Sequence, residues 1–131
     1  MIALITGSAK GIGRAIAIDL AQRGCTVIIH YRLSSAAAQT TLAEAKEHAP
    51  ASRMMQADLT QVAEIERLFN AIHQNYGRLD VLVNTVGSFG TYHPITEVTL
   101  AEFDDVIATN VRATFACIQQ AVPLMRAVGG G

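Results

Sequence analysis

Three glycines hold the first candidate chemistry. They fall in Thr6-Gly7-Ser8-Ala9-Lys10-Gly11-Ile12-Gly13, between an apolar run and the start of a helical pattern. Without a Cβ, their backbone can take a positive φ or approach a ligand closely. N–H groups at the mouth of a new helix point at an anion, and the helix dipole assists them. A diphosphate is the natural guest, and a plain turn is the alternative. Position favours the diphosphate, because the loop follows a strand and opens a helix. Other reactive side chains form no such pattern. Cys25 and Cys117 fit no metal or redox spacing, and read as free, packed thiols of a reducing compartment. His30, His48, His73 and His93 make no ligand set, so no metal is expected.

The elements that must position this loop can be read in order. Residues 11–23 carry a stripe of Ile12, Ala15, Ile16 and Leu20, and Gly24 stands where a helix C′ glycine belongs. Thr26-Val27-Ile28-Ile29-His30-Tyr31 is nearly all apolar and β-branched, which predicts a strand buried on both faces. Ser34 or Ser35 can cap a helix running to about His48, and Pro50 marks its end. Residues 52–57 suit a short edge strand. A helix from Thr60 places Val62, Ile65, Leu68, Phe69, Ile72 and Tyr76 on one face and closes at Gly77. Leu79-Asp80-Val81-Leu82-Val83-Asn84 is a further strand. After a loop over residues 87–98, Thr99-Leu100-Ala101-Glu102 is a capping box. Its helix reaches about Ala127, with Pro123 bending it near the end.

This βαβαβαβα order predicts an α/β fold: a Rossmann-type, doubly wound parallel sheet of strand order 3-2-1-4. A crevice should open between the first and fourth strands at their C-terminal ends. The glycine loop and the loop after Asn84 both face it. The 131 residues suit one domain. Half are hydrophobic and 16% are charged, as in a globular core. A formal net charge of −1 gives no electrostatic reason to expect nucleic acid or a membrane surface as partner. No leader or membrane span is expected, so a cytoplasmic location is.

With these residues in place, the chain resembles the short-chain dehydrogenase/reductase family, over its whole length and as the N-terminal half of such an enzyme. The family's Thr-Gly-x-x-x-Gly-x-Gly stands here at residues 6–13. The resemblance implies that Gly7, Ser8, Gly11, Ile12 and Gly13 hold the cofactor diphosphate. Asp58-Leu59 occupies the family's adenine-contacting position, where a turn or capping aspartate is the alternative. Asn84-Thr85-Val86-Gly87 matches Asn-Asn-Ala-Gly at Asn84 and Gly87 and departs from it at Thr85 and Val86. By the resemblance, Asn84, Val86 and Gly87 lie along the ribose and nicotinamide. Asn110 stands at the family's catalytic asparagine, implied to order a water in the proton relay.

Cofactor choice follows from charge. An NAD enzyme places Asp or Glu about 20 residues beyond the glycine loop, on the ribose 2′-OH. Tyr31 and then Arg32 stand there instead. Arg32 offers a planar fork suited to a 2′-phosphate, and Lys10 a second charge. Each alone could be a solvated surface cation. Together they favour NADP(H) over NAD(H).

The family's Tyr-x-x-x-Lys does not occur within residues 1–131. That pair supplies the proton, since an isolated Tyr with pKa near 10 is a poor base at neutral pH. In the family it follows a fifth strand, and the pattern here is cut before that strand. The expectation is therefore one NAD(P)-binding domain over residues 1–131, incomplete at its C-terminus and inactive alone. It would belong to an NADP(H)-dependent oxidoreductase exchanging hydride with a small carbonyl or alcohol substrate. The rival is a non-catalytic nucleotide-binding or interaction module. The last helix is apolar over a wide arc. It could make a homo-oligomer over residues 99–127 or pack on further parts of its own subunit.

Overall fold

The computed structural model describes residues 1–130. Four parallel strands run in the order β3-β2-β1-β4, as the alternating pattern predicts. They are β1 (Ile2–Ile5), β2 (Thr26–Tyr31), β3 (Arg53–Gln56) and β4 (Val81–Val83). The helices are α1 (Gly11–Gln22), α2 (Ser35–His48), α3 (Val62–Tyr76), α4 (Leu100–Ile107) and α5 (Ala113–Arg126). A π-helical turn, Ala108–Arg112, joins the last two.

Period-two alternation divides the core between the two faces of the sheet. Ala3, Ile5, Val27 and Ile29 pack with Ala17, Ala21, Ala38 and Ala45 of α1 and α2. Leu4 and Ile28, pointing the other way, pack with Ile65, Leu68, Phe69 and Ile72 of α3 and Cys117 and Ala121 of α5. Helices cover both faces, which is why β1 and β2 read as unbroken apolar runs. Small alanines on α1 and α2 let those helices sit close to the sheet.

Helix ends follow the expected chemistry in most places. Gly24 and Gly77 take φ of 82° and 68°, the left-handed region that favours glycine. Thr99 and Glu102 form the reciprocal capping box. Four expectations need correction. Ser34 stands at the N-cap of α2, but its side chain makes no capping hydrogen bond. α3 starts at Val62 because Asp58 binds the Thr60 N–H and hydroxyl in a turn (3.0 and 2.7 Å). β4 is shorter than residues 79–84, since β1 offers partners only from Val81 to Val83. The last helix stays helical from Leu100 to Arg126, as expected, but its α-helical pattern widens to a π-turn over Ala108–Arg112.

Candidate functional site

The glycine loop leaves the end of β1 and is tied down on both sides. Toward β4, the Thr85 N–H donates to Thr6 Oγ1 (3.0 Å), and the Thr85 hydroxyl donates to the Thr6 carbonyl. Toward β2, the Ser8 N–H donates to the His30 carbonyl (3.0 Å), and the His30 N–H returns a bond to Ser8 Oγ (3.1 Å). The Ser8 hydroxyl also donates to the Ile5 carbonyl (2.7 Å). Ser8 is fully buried, so its side chain is a strut of the loop.

The glycines have separate reasons. Gly7 and Gly11 take φ of 67° and 61°. Gly13 is needed for space: a Cβ there would lie 2.6 Å from Thr85 Oγ1 and 2.8 Å from the Gly7 carbonyl oxygen.

A crevice of about 620 Å³ opens beside the loop at the C-terminal end of the sheet. It brings together Gly7, Lys10, Tyr31, Arg32, Asp58, Leu59, Val86 and Gly87. The other expected residues lie elsewhere. Gly11 and Ile12 are exposed on the first turn of α1, and Gly13 is buried behind the loop. Asn84 lines a second depression of about 370 Å³, between β4 and α5. Asn110 sits in the π-turn and grips the Ser88 backbone. Its Oδ1 accepts the Ser88 N–H (2.8 Å), and its Nδ2 donates to the Ser88 carbonyl (2.7 Å). One lone pair and one N–H of the amide are left over.

Two cations, Lys10 and Arg32, and two carboxylates, Asp58 and Asp105, line the crevice. Lys10 is exposed at the N-cap of α1. Arg32 Nη1 lies 3.8 Å from Asp58 Oδ2, an ion-pair distance too long for a hydrogen bond. Burial raises the Asp58 pKa. The Thr60 N–H and hydroxyl and the charge of Arg32 outweigh burial and hold the carboxyl below its ordinary value. Asp58 is thus both a turn residue and a crevice residue.

His30 was visible in the sequence only as a polar residue in an apolar strand. The structure buries it beneath the loop, 2% exposed. Its Nδ1 accepts the Gly7 N–H (2.9 Å) and its Nε2 lies 3.0 Å from the Ala57 carbonyl oxygen. Loss of solvation by burial pushes its pKa down, against the Ala57 bond and the Asp58 charge. Cys25 and Cys117 are buried and unpaired. Among the described residues no group of metal ligands occurs, and no helix is long and apolar enough to cross a membrane.

The arrangement matches known proteins. A family profile described as short chain dehydrogenase covers residues 1–131. Hydroxynaphthalene reductase-like protein Arp2 of Metarhizium acridum is 39% identical over 120 residues, 92% of this chain and 45% of that protein. Elsinochrome reductase 1 of Elsinoe fawcettii is 40% identical over 131 residues, 98% of this chain and 48% of that protein. The chain therefore spans about half the length of these relatives.

Solved structures agree. The Pseudomonas aeruginosa RhlG/NADP active-site complex superposes with a TM-score of 0.86 at 33% identity, covering 96% of this chain and 48% of that one. The NADH-dependent reductase A1-R′ complexed with NAD gives 0.88 at 31% identity, covering 97% and 52%. Neighbours of this fold thus bind either nicotinamide cofactor. Glycine spacing, sheet order and these matches agree, and the chain belongs to the short-chain dehydrogenase/reductase family.

Proposed function

We propose that residues 1–131 form one NAD(P)-binding domain of an oxidoreductase that prefers NADP(H). The observation that carries this reading is that Lys10 and Arg32 line the same crevice as Gly7. The residue at the end of β2 is Tyr31, so no carboxylate stands there to repel a 2′-phosphate. Asp58 engages Arg32 only at 3.8 Å, which leaves the guanidinium fork available to a bidentate acceptor.

In this reading the exposed start of α1, Gly11 and Ile12, receives the diphosphate beside the crevice that Gly7 and Lys10 line. Tyr31, Asp58 and Leu59 flank the adenine, and Val86 and Gly87 lie toward the ribose. The bound cofactor supplies hydride chemistry, and the protein orients it against a carbonyl or alcohol carbon. Asn110 holds Ser88 at the mouth of the crevice, and its spare amide positions order a relay water. That chemistry also needs a proton donor, and residues 1–131 contain no Tyr-x-x-x-Lys to supply it. That same observation favours the second reading, a nucleotide-binding module without catalysis. Whether the protein continues into a strand and such a pair separates the two. Free thiols at Cys25 and Cys117 suit a reducing, cytoplasmic location. The open apolar side of α4 and α5 suits a second copy of the chain.

The test is Arg32→Asp. NADPH and NADH are titrated by fluorescence against the intact protein and the variant. The expected result is a shift of the NADPH-to-NADH affinity ratio toward NADH by about 100-fold, because a charge-assisted contact becomes a repulsion. An unchanged ratio overturns the NADP(H) assignment.

A further inference from the structure

His30 is a buried imidazole with both nitrogens committed, yet no step of the proposed chemistry uses it. Its neighbours determine its proton. The Ala57 carbonyl can only accept, so Nε2 carries the hydrogen (3.0 Å). The Gly7 N–H can only donate, so Nδ1 is bare (2.9 Å). Gly7 is the first glycine of the loop and takes φ of 67°. His30 therefore joins the left-handed start of the loop to the end of β3, across the floor of the crevice.

We propose that His30 is a positioning residue for cofactor binding, acting through Nδ1 on Gly7 to preset the glycine loop. This rests on the nucleotide-binding reading above. The two ring nitrogens have separable duties: Nδ1 holds the loop, while Nε2 ties β2 to β3. A proton on Nδ1 would face the Gly7 N–H with another donor, and the preset geometry would be lost.

The charged and titratable surroundings of the ring come from several elements. Tyr31 and Arg32 follow it on β2, and Lys10 lies in the glycine loop. Asp58 follows Ala57, Glu64 of α3 accepts the Asp58 N–H (2.6 Å), and Asp105 of α4 lines the same crevice. None of these hydrogen-bonds the imidazole, whose two partners are backbone groups.

The experiment compares His30→Asn with His30→Gln in the intact protein. Asn places an amide oxygen near the Nδ1 position and can accept from Gly7. Gln reaches toward Nε2 and can donate to Ala57. NADPH affinity should stay within about threefold of the parent in His30→Asn and fall about tenfold in His30→Gln, the factor expected for one lost orienting hydrogen bond. A residue serving only to fill the core would show the two variants weakened alike, and that result overturns the proposal.

Two further readings are decisive. In the parent, affinity should fall more steeply than in His30→Asn at pH values below the ordinary imidazole range, because burial holds the His30 pKa down. The cofactor's own phosphate titrates near pH 6 in both and cancels in the ratio. Parallel pH profiles overturn the proposal. Nitrogen NMR of the nucleotide-free protein should show a bare Nδ1, a protonated Nε2 and a Gly7 amide signal that moves as His30 titrates. An Nδ1–H tautomer overturns the proposal even if NADPH fails to bind, and absence of NADPH binding by folded parent overturns the nucleotide-binding reading on which it rests.

Discussion

Thr85 explains much of why Gly13 must be glycine. Its hydroxyl is held on the Thr6 carbonyl, in the space a Cβ at residue 13 would need. Gly13→Ala should cost about 1–3 kcal/mol, as overpacking at a tight site does. Adding Thr85→Ala relieves only part of this, because the Gly7 carbonyl oxygen still stands 2.8 Å from the new Cβ. Urea denaturation of the single and double variants checks it; full recovery in the double variant would show that Thr85 alone sets the limit. The glycine spacing was legible because glycine has few local reasons to recur. The meaning of Thr85 was not. It departs from the family pattern, and its partner Thr6 lies 79 residues away. His30 was hidden for the same reason: Gly7 and Ala57 are 23 and 27 residues away in sequence.

Elements were more legible than side-chain partners. Stripes, capping residues and closing glycines are local signals, and α1, α2, α3 and β2 fall close to where they point. The helix after Thr99 shows the boundary of such reading. Its capping box is local and was visible. Its π-turn was not, because nothing within residues 108–112 requires an i→i+5 pattern. The turn carries Asn110, whose side chain spans Ser88. Asn110→Ala should lose both bonds and cost about 1–2 kcal/mol, less than the gross strength of two bonds because the exposed Ser88 backbone regains water. Asn110→Asp should cost more. Its carboxylate keeps the acceptor for the Ser88 N–H but sets an oxygen against the Ser88 carbonyl. Thermal unfolding ranks the variants, and amide exchange at Ser88 should quicken in both. An aspartate variant as stable as the parent would remove Nδ2 from the account.

At the scale of the whole molecule, the sheet order followed from alternation and crossover handedness. Two cores on opposite faces followed from the apolar runs. The last helix was the open question, since its sequence is apolar over a wide arc. Cys117 and Ala121 are buried against the sheet, while Phe103 stays exposed. Val111, Phe115 and Ile118, a stripe at helical spacing, are 56%, 65% and 47% exposed. Exposed apolar residues in a row mark a surface that another surface covers. A stripe packed on a second copy and one packed within a longer chain predict different outcomes for one substitution. Phe115→Glu places a charge where a two-fold helix contact would bring it against its own symmetry mate. The expected result is a fall in mass by light scattering to that of a single chain, with far-UV circular dichroism and NADPH affinity unchanged. The crevice proposed for the cofactor lies at the end of the sheet and includes no residue of this stripe, so affinity serves as the control. An unchanged mass, with lowered thermal stability, would assign the stripe to packing inside one subunit.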